Sequence, residues 1–275
     1  MRNLFEHRFL TYTVVLGVAL TAVLATDRQA LAQTWNEEKS RHFIVYYGPA
    51  SDRTAALKVL RRAEEYYNKI GNQIGYTRYH NFWTFNERVR IVMFPNVESF
   101  TQTTGQPPWL LGFSARDSHV FSSRSIVTYK QESGFFEGVL PHEISHLILH
   151  DFINSAHIPV WFDEGVAQLQ EADKSPVARQ MMRVLVSRGQ FIPLGALHQW
   201  NIRQEEDPQK IAVFYAQSLS VVEFLIKNYG SYAFSRLCRE MHDGKTFTQA
   251  LHAAYTNKID TLDELQDKWI NYVSP

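Results

Sequence analysis

The sequence predicts an α+β fold, with a sheet-rich first half, a central pair of helices and a helical second half. Short β-branched and aromatic runs, His42–Tyr47 and Arg88–Phe94, stop at Gly48-Pro49 and Pro95, as strands bounded by turn residues do. From Pro176 onward the apolar residues recur at helical spacing. Between these regions stands His142-Glu143-Ile144-Ser145-His146, set in the apolar flanks Val139-Leu140 and Leu147-Ile148-Leu149.

In order along the chain, Arg2 and Arg8 precede an uncharged apolar run, Phe9–Ala25, and Ala30-Leu31-Ala32 follows it. This is the pattern of an export signal ending in a small-x-small cleavage site. Residues 1–32 are therefore expected to be a signal peptide, leaving 33–275 periplasmic or secreted. The run of 17 residues sits at the lower limit for a membrane span, so a retained anchor is the alternative, and the only one that involves a membrane. No Cys follows the run, which argues against a lipid-modified N-terminus. The strand at His42–Tyr47 leads to a helix capped by Ser51 or Asp52, with Leu57, Leu60, Ala63, Tyr67, Ile70 and Ile74 on its apolar face. Arg88–Phe94 is a second strand, Asn96–Thr103 a short helix, and Gly105–Pro108 a loop. Short strands are expected near Ser118–Phe121 and Ile126–Tyr129. Beyond the central helices, Pro176–Val186, Ile211–Tyr229 (ended by Gly230), Ser231–Met241, Thr246–Tyr255 and Leu262–Tyr272 read as helices. Thr261 and Glu264 stand at capping-box spacing.

With 275 residues, 45% of them hydrophobic, the chain can bury one sizeable core or two closely packed lobes. It is read as one domain over 33–275, with a sheet-rich lobe at 40–130, site helices at 134–172 and a helical lobe at 176–275. Lys+Arg and Asp+Glu balance at 28 each, and no basic stripe points to nucleic acid. Cys238 is the only cysteine. It has no internal partner, and among Phe234, Leu237 and Met241 it reads as core.

His142 and His146 stand one helical turn apart on one face, where two imidazoles can grip a zinc ion while Glu143 handles protons on its water. Pro141 is tolerated only in a first helical turn, so this helix starts near Gly138 or is distorted there. A catalytic zinc takes three protein ligands. His150 lies roughly 12 Å along the axis from His142, too far for one straight helix to close around a single ion, and is read as structural or rim-forming. Leu149 and Phe152 stand where the longer H-E-x-x-H-x-x-G-x-x-H pattern needs Gly and His. His157, in the following loop, stays open as a ligand. Glu164 is the better candidate, because Pro159 can open a second helix on which a Glu would be costly to bury without a partner.

The set His142, Glu143, His146 and Glu164 resembles the gluzincin zinc peptidases of the peptidase MA-like branch, in which two His and a downstream Glu hold the metal. Pro159–Gly165 (P-V-W-F-D-E-G) resembles that branch's W-x-x-E-G segment, and Tyr215-Ala216-Gln217-Ser218 resembles its Y-A-x-S helix. The resemblance spans about residues 40–272. It implies a zincin-like fold, a small mixed sheet lobe over the zinc-binding helix followed by a mostly helical lobe. It also implies a sheet edge that pairs with extended substrate, for which Ala115–Val120 and Ile126–Tyr129 are the candidates. A peptide or protein substrate follows, with Zn2+ as cofactor, Glu143 as general base and Tyr215 as the donor to the developing oxyanion. His157 is a weaker candidate for that last role. Asp163 and Gln168 are candidates to hold a His ring nitrogen, although Asp163 is expected to point elsewhere on its helix. Seventeen residues separate His146 from Glu164, a shorter spacing than in the related aminopeptidases. No G-x-M-E-N segment precedes the zinc helix, and Gly112–Ser123 contains no Glu. A surface loop can absorb the spacing; the missing segment turns the expectation from aminopeptidase to endopeptidase. The competing reading is a zinc-stabilised envelope binding module without activity, for which an intact Glu143 serves no purpose.

Overall fold

The computed structural model describes residues 35–49, 52–76, 83–108, 110–115, 124–130, 134–153 and 158–274. The chain divides into two compact units, one holding residues up to Glu64 with Phe82–Leu140, the other Glu65–Asn81 with Pro141–Pro275. The expected signal segment 1–32, the strand expected near Ser118–Phe121 and His157 lie outside the described residues.

The first unit is built on a five-stranded mixed sheet: β1 (Asn36–Lys39), β2 (Phe43–Tyr47), β3 (Val89–Phe94), β4 (Gly112–Ala115) and β5 (Ser125–Tyr129), in the spatial order β1-β2-β3-β5-β4. The three inner strands β2, β3 and β5 run parallel, and the two outer strands pair antiparallel. Parallel neighbours need a crossover between them. Helix α1 (Arg53–Ile74) lies between β2 and β3 in the chain, and α2 (Val97–Thr104) follows β3. In β3 every residue but Arg90 is buried, the near-continuous burial of an inner parallel strand. On α2, Asn96 caps the first turn by accepting from the Ser99 N–H at 2.9 Å, and Gly105 ends it in the left-handed conformation. Val92, Phe94, Phe100 and Val127 form a core cluster beneath it.

Some expectations change. Ile126–Tyr129 is not an edge, since β5 lies between β3 and β4; the edge on that side is β4, which includes Ala115 of the other candidate range, while residues 116–120 of that range lie outside the described residues. Strand β1 gave no sequence signal because Asn36-Glu37-Glu38-Lys39 is wholly polar, as suits an edge exposed to water. Leu57 is 43% exposed, whereas Leu60, Ala63, Tyr67, Ile70 and Ile74 are buried as expected.

The second unit is helical. It contains α3 (Leu140–Phe152, its first residue in the other unit), α4 (Val160–Gln168), α5 (Lys174–Ser187), α6 (Leu194–Gln199), α7 (Pro208–His242), α8 (Phe247–Ala254) and α9 (Leu262–Val273). Helix α5 starts two residues before Pro176, which occupies its first turn, and α6 was not foreseen. The expected break at Gly230 is a kink inside α7, where φ is 82° and ψ 162°, a region open essentially to glycine alone. Helices α4, α5 and α8 pack against α7. Gln217 on α7 accepts from the Ile192 N–H at 2.8 Å and donates to its carbonyl at 2.5 Å, and the buried Trp269 donates to Ser220 Oγ at 3.0 Å. The complete capping box is at Thr246–Gln249. At α9 only half of one forms: Thr261 accepts from the Glu264 N–H, but the Glu264 carboxylate reaches the Asp260 N–H instead. Cys238 is buried and unpaired, and burial raises its thiol far above the ordinary range.

A mixed five-stranded sheet with a mostly helical remainder is the α+β, zincin-like arrangement expected. Among the described residues no helix is long and apolar enough to cross a membrane. Gly230→Ala places a Cβ where the backbone region excludes it and is expected to cost roughly 1–3 kcal/mol of stability. Urea denaturation of the purified chain measures this, and wild-type stability would mean that this residue does not fix the kink.

Candidate metal centre

Helix α3 begins out of a single π-helical turn, Phe135–Val139. Pro141 offers no N–H to an ordinary α-helical turn and its ring crowds the preceding carbonyls, so the backbone widens just before it. This is the distortion expected near Gly138. Beyond it, Leu140, Ile144, Leu147, Ile148 and Leu149 are fully buried, and the polar His142, Glu143 and Ser145 are buried as well, while His146 and His150 are partly exposed.

Helix α4 starts at Pro159, and Trp161 and Phe162 anchor it, both in edge or tilted contact with Phe247. Gly165 fixes its depth. A Cβ there would stand 2.5 Å from the Ser218 carbonyl oxygen and 2.8 Å from Val222 Cγ2 on α7, so only glycine permits this approach. The adjacent Glu164 is carried with it.

Sequence expectation and geometry meet at three atoms. His142 Nε2 and His146 Nε2 are 3.0 Å apart, and Glu164 Oε2 lies 3.7 and 3.9 Å from them. Glu164 is buried, and its Oε2 has no hydrogen-bond partner. A carboxylate oxygen withdrawn from water without a donor is costly. Ligands of a tetrahedral zinc, with bonds of about 2.0–2.2 Å, stand roughly 3.3–3.6 Å from one another. The three separations lie within about 0.3 Å of that range, so the donor set fits the ion.

The other imidazole nitrogens are held from outside. His146 Nδ1 donates to Asp163 Oδ1 at 2.7 Å, and His142 Nδ1 donates to Glu171 Oε1 at 2.9 Å. Each bond fixes the tautomer that leaves Nε2 bare and aimed inward. Asp163 thus does hold a ring nitrogen, contrary to the direction expected from its helix. The second holder is Glu171 rather than Gln168. Glu171 follows Glu164 by seven residues, two helical turns, and after α4 the backbone tightens through Gln170 N–H to Ala167 O and Glu171 N–H to Gln168 O. That heptad spacing was the signal available for it. Glu143 is buried between the two histidines on α3, and its charge is felt at His142, His146 and Glu164.

The carboxylates dominate the electrostatics. Burial opposes an imidazolium at His146, but Asp163, and after it Glu164 and Glu143, raise its pKa to about 10. Burial pushes the Glu164 carboxyl upward, and opposes the Asp163 carboxylate too, yet its histidine partners hold Asp163 well below the usual range. Without a cation the cluster draws protons into the gap; a metal ion takes their place and releases them.

Tyr215 is half-buried on α7, edge-on to Phe214, one turn before the Ser218 carbonyl that Gly165 abuts.

A helix bearing two histidines and a second bearing the facing glutamate, in a chain of α+β class, agree with a zincin-like fold. The Peptidase MA superfamily model matches residues 122–274, more than half of the chain, and the chain belongs to that superfamily. It is therefore a peptidase, a hydrolase of peptide bonds. No curated protein gives a significant match to this chain.

Gly165→Ala is expected to destabilise the chain by about 1–3 kcal/mol, the usual cost of overpacking, because the clash is with backbone. Guanidinium denaturation measures it, and a neutral result would contradict the close α4–α7 approach.

Proposed function

We propose that this superfamily member is a zinc-dependent endopeptidase, exported to the periplasm or secreted. The observation that carries the reading is the convergence of His142 Nε2, His146 Nε2 and the partnerless Glu164 Oε2. Three inward donors fit one cation and leave a fourth position open, the arrangement of a catalytic zinc. Zinc bound there supplies Lewis acidity and a water of lowered pKa.

The chain's own residues do the rest. Glu143 takes the proton of the attacking water on its carboxylate and returns it to the leaving amine, so the peptide C–N bond breaks with no net change at the enzyme. Asp163 and Glu171 keep both imidazoles in the ligating tautomer. Tyr215 donates its phenolic hydrogen to the oxyanion as charge grows on it. The absence of a glutamate in Gly112–Ser123 removes the group with which the related aminopeptidases grip a free amino terminus, and supports internal cleavage of a peptide or protein. Export rests on the Arg2–Ala32 signal pattern.

Glu143→Gln is expected to retain zinc while losing at least about 10²-fold in kcat, the contribution of a positioned general base. Metal analysis and cleavage profiling on a mixed peptide library, with wild type alongside, measure both. Undiminished turnover in this variant would sink the reading. Tyr215→Phe is expected to lower kcat by about 10²–10³ at nearly unchanged KM, since the lost donor acts on charge present only in the transition state; an equal kcat would remove Tyr215 from the mechanism.

A further inference from the structure

His150 stands one turn beyond His146 on α3 and faces the same residue of α4. Its Nε2 lies 2.7 Å from Asp163 Oδ2, while Asp163 Oδ1 takes His146 Nδ1, also at 2.7 Å. A single carboxylate is thus gripped from both sides by two histidines of one helix. The side chains grade from 13% exposed at His146 through 17% at Asp163 to 37% at His150, so the line runs outward from the metal position toward solvent. His146, His150 and Asp163 together have the composition of a metal site. Their facing nitrogens, however, are already engaged with the same carboxylate at hydrogen-bond distance, which accounts for the cluster without a second ion.

A carboxylate held by one donor can swing about its terminal bond; one held by two cannot. Asp163 must present Oδ1 to His146 for the ring to aim Nε2 at Glu164 and His142. We propose that His150 is a positioning residue for the metal: its Nε2–H locks Asp163, which locks His146. The inference rests on the zinc reading above. It adds to that reading a residue outside the ligand set that touches neither metal nor substrate.

The test measures zinc dissociation constants by chelator competition on the purified full chain, alongside thermal melting of the zinc-free protein. Removing an orienting partner of a metal ligand costs about 10–100-fold in affinity. His150→Ala is expected to weaken zinc by about 10-fold, and His150→Gln, which keeps an N–H at similar reach, to stay within about threefold of wild type. Asp163→Asn leaves one oxygen acceptor for two imidazoles and is expected to weaken zinc by about 10–100-fold. A merely structural tie between α3 and α4 would lower the zinc-free melting temperature in His150→Ala without moving the dissociation constant, and that result overturns the proposal. So would a His150→Gln variant as weak as His150→Ala. If wild type holds no zinc, the zinc reading falls and this inference falls with it; if wild type holds zinc and His150→Ala holds it equally well, only the inference falls.

Discussion

The site depends on two hydrogen bonds that never touch the metal position. Asp163 and Glu171 each take the outer nitrogen of one histidine, and this decides that in the neutral rings the inner nitrogens are the lone pairs, directed at Glu164. An imidazole free to exchange tautomers or rotate would present N–H as readily as N, and the pair would be an ordinary polar contact. Both carboxylates come from α4 and the turn that ends it, as does Glu164. One short helix and the turn that ends it therefore supply Glu164 and both orienting groups, while α3 supplies the imidazoles and Glu143.

That economy explains why α4 is packed as it is. Trp161 and Phe162 fix its rotation, and Gly165 lets it sink onto α7 until backbone meets backbone. The burial that this depth imposes is unfavourable for a carboxylate, and the partnerless Oε2 records the cost. Buried acids surrounding two imidazoles make sense where a divalent cation completes the charge. In its absence the same field loads protons onto His146.

The sequence made much of the site legible because its strongest constraints are local. The i, i+4 spacing of His142 and His146 needs nothing beyond helical periodicity, and the cost of burying Glu164 points to a partner. Pro141 foretold the widened turn, and Gly230 the kink. What stayed hidden is what adjacency in space decides. Asp163 points elsewhere on an isolated helix, Glu171 carries only its heptad spacing, and the contact of His150 with Asp163, which suits a structural residue, forms only where α3 meets α4. In the sheet, β1 is wholly polar and shows no apolar alternation, and of the two candidate edges only the one beginning at Ala115 touches an edge strand, because which strand is outermost is decided by pairing.

By itself, then, the chain's sequence picked out the candidate donors, the candidate base and the helices that carry them, because residue type and spacing along one helix are local properties. Only the tertiary structure decided which carboxylate orients which imidazole and how near Glu164 comes, because those distances are set where side chains of α3 meet those of α4 and of the turn after it, where no periodicity reaches.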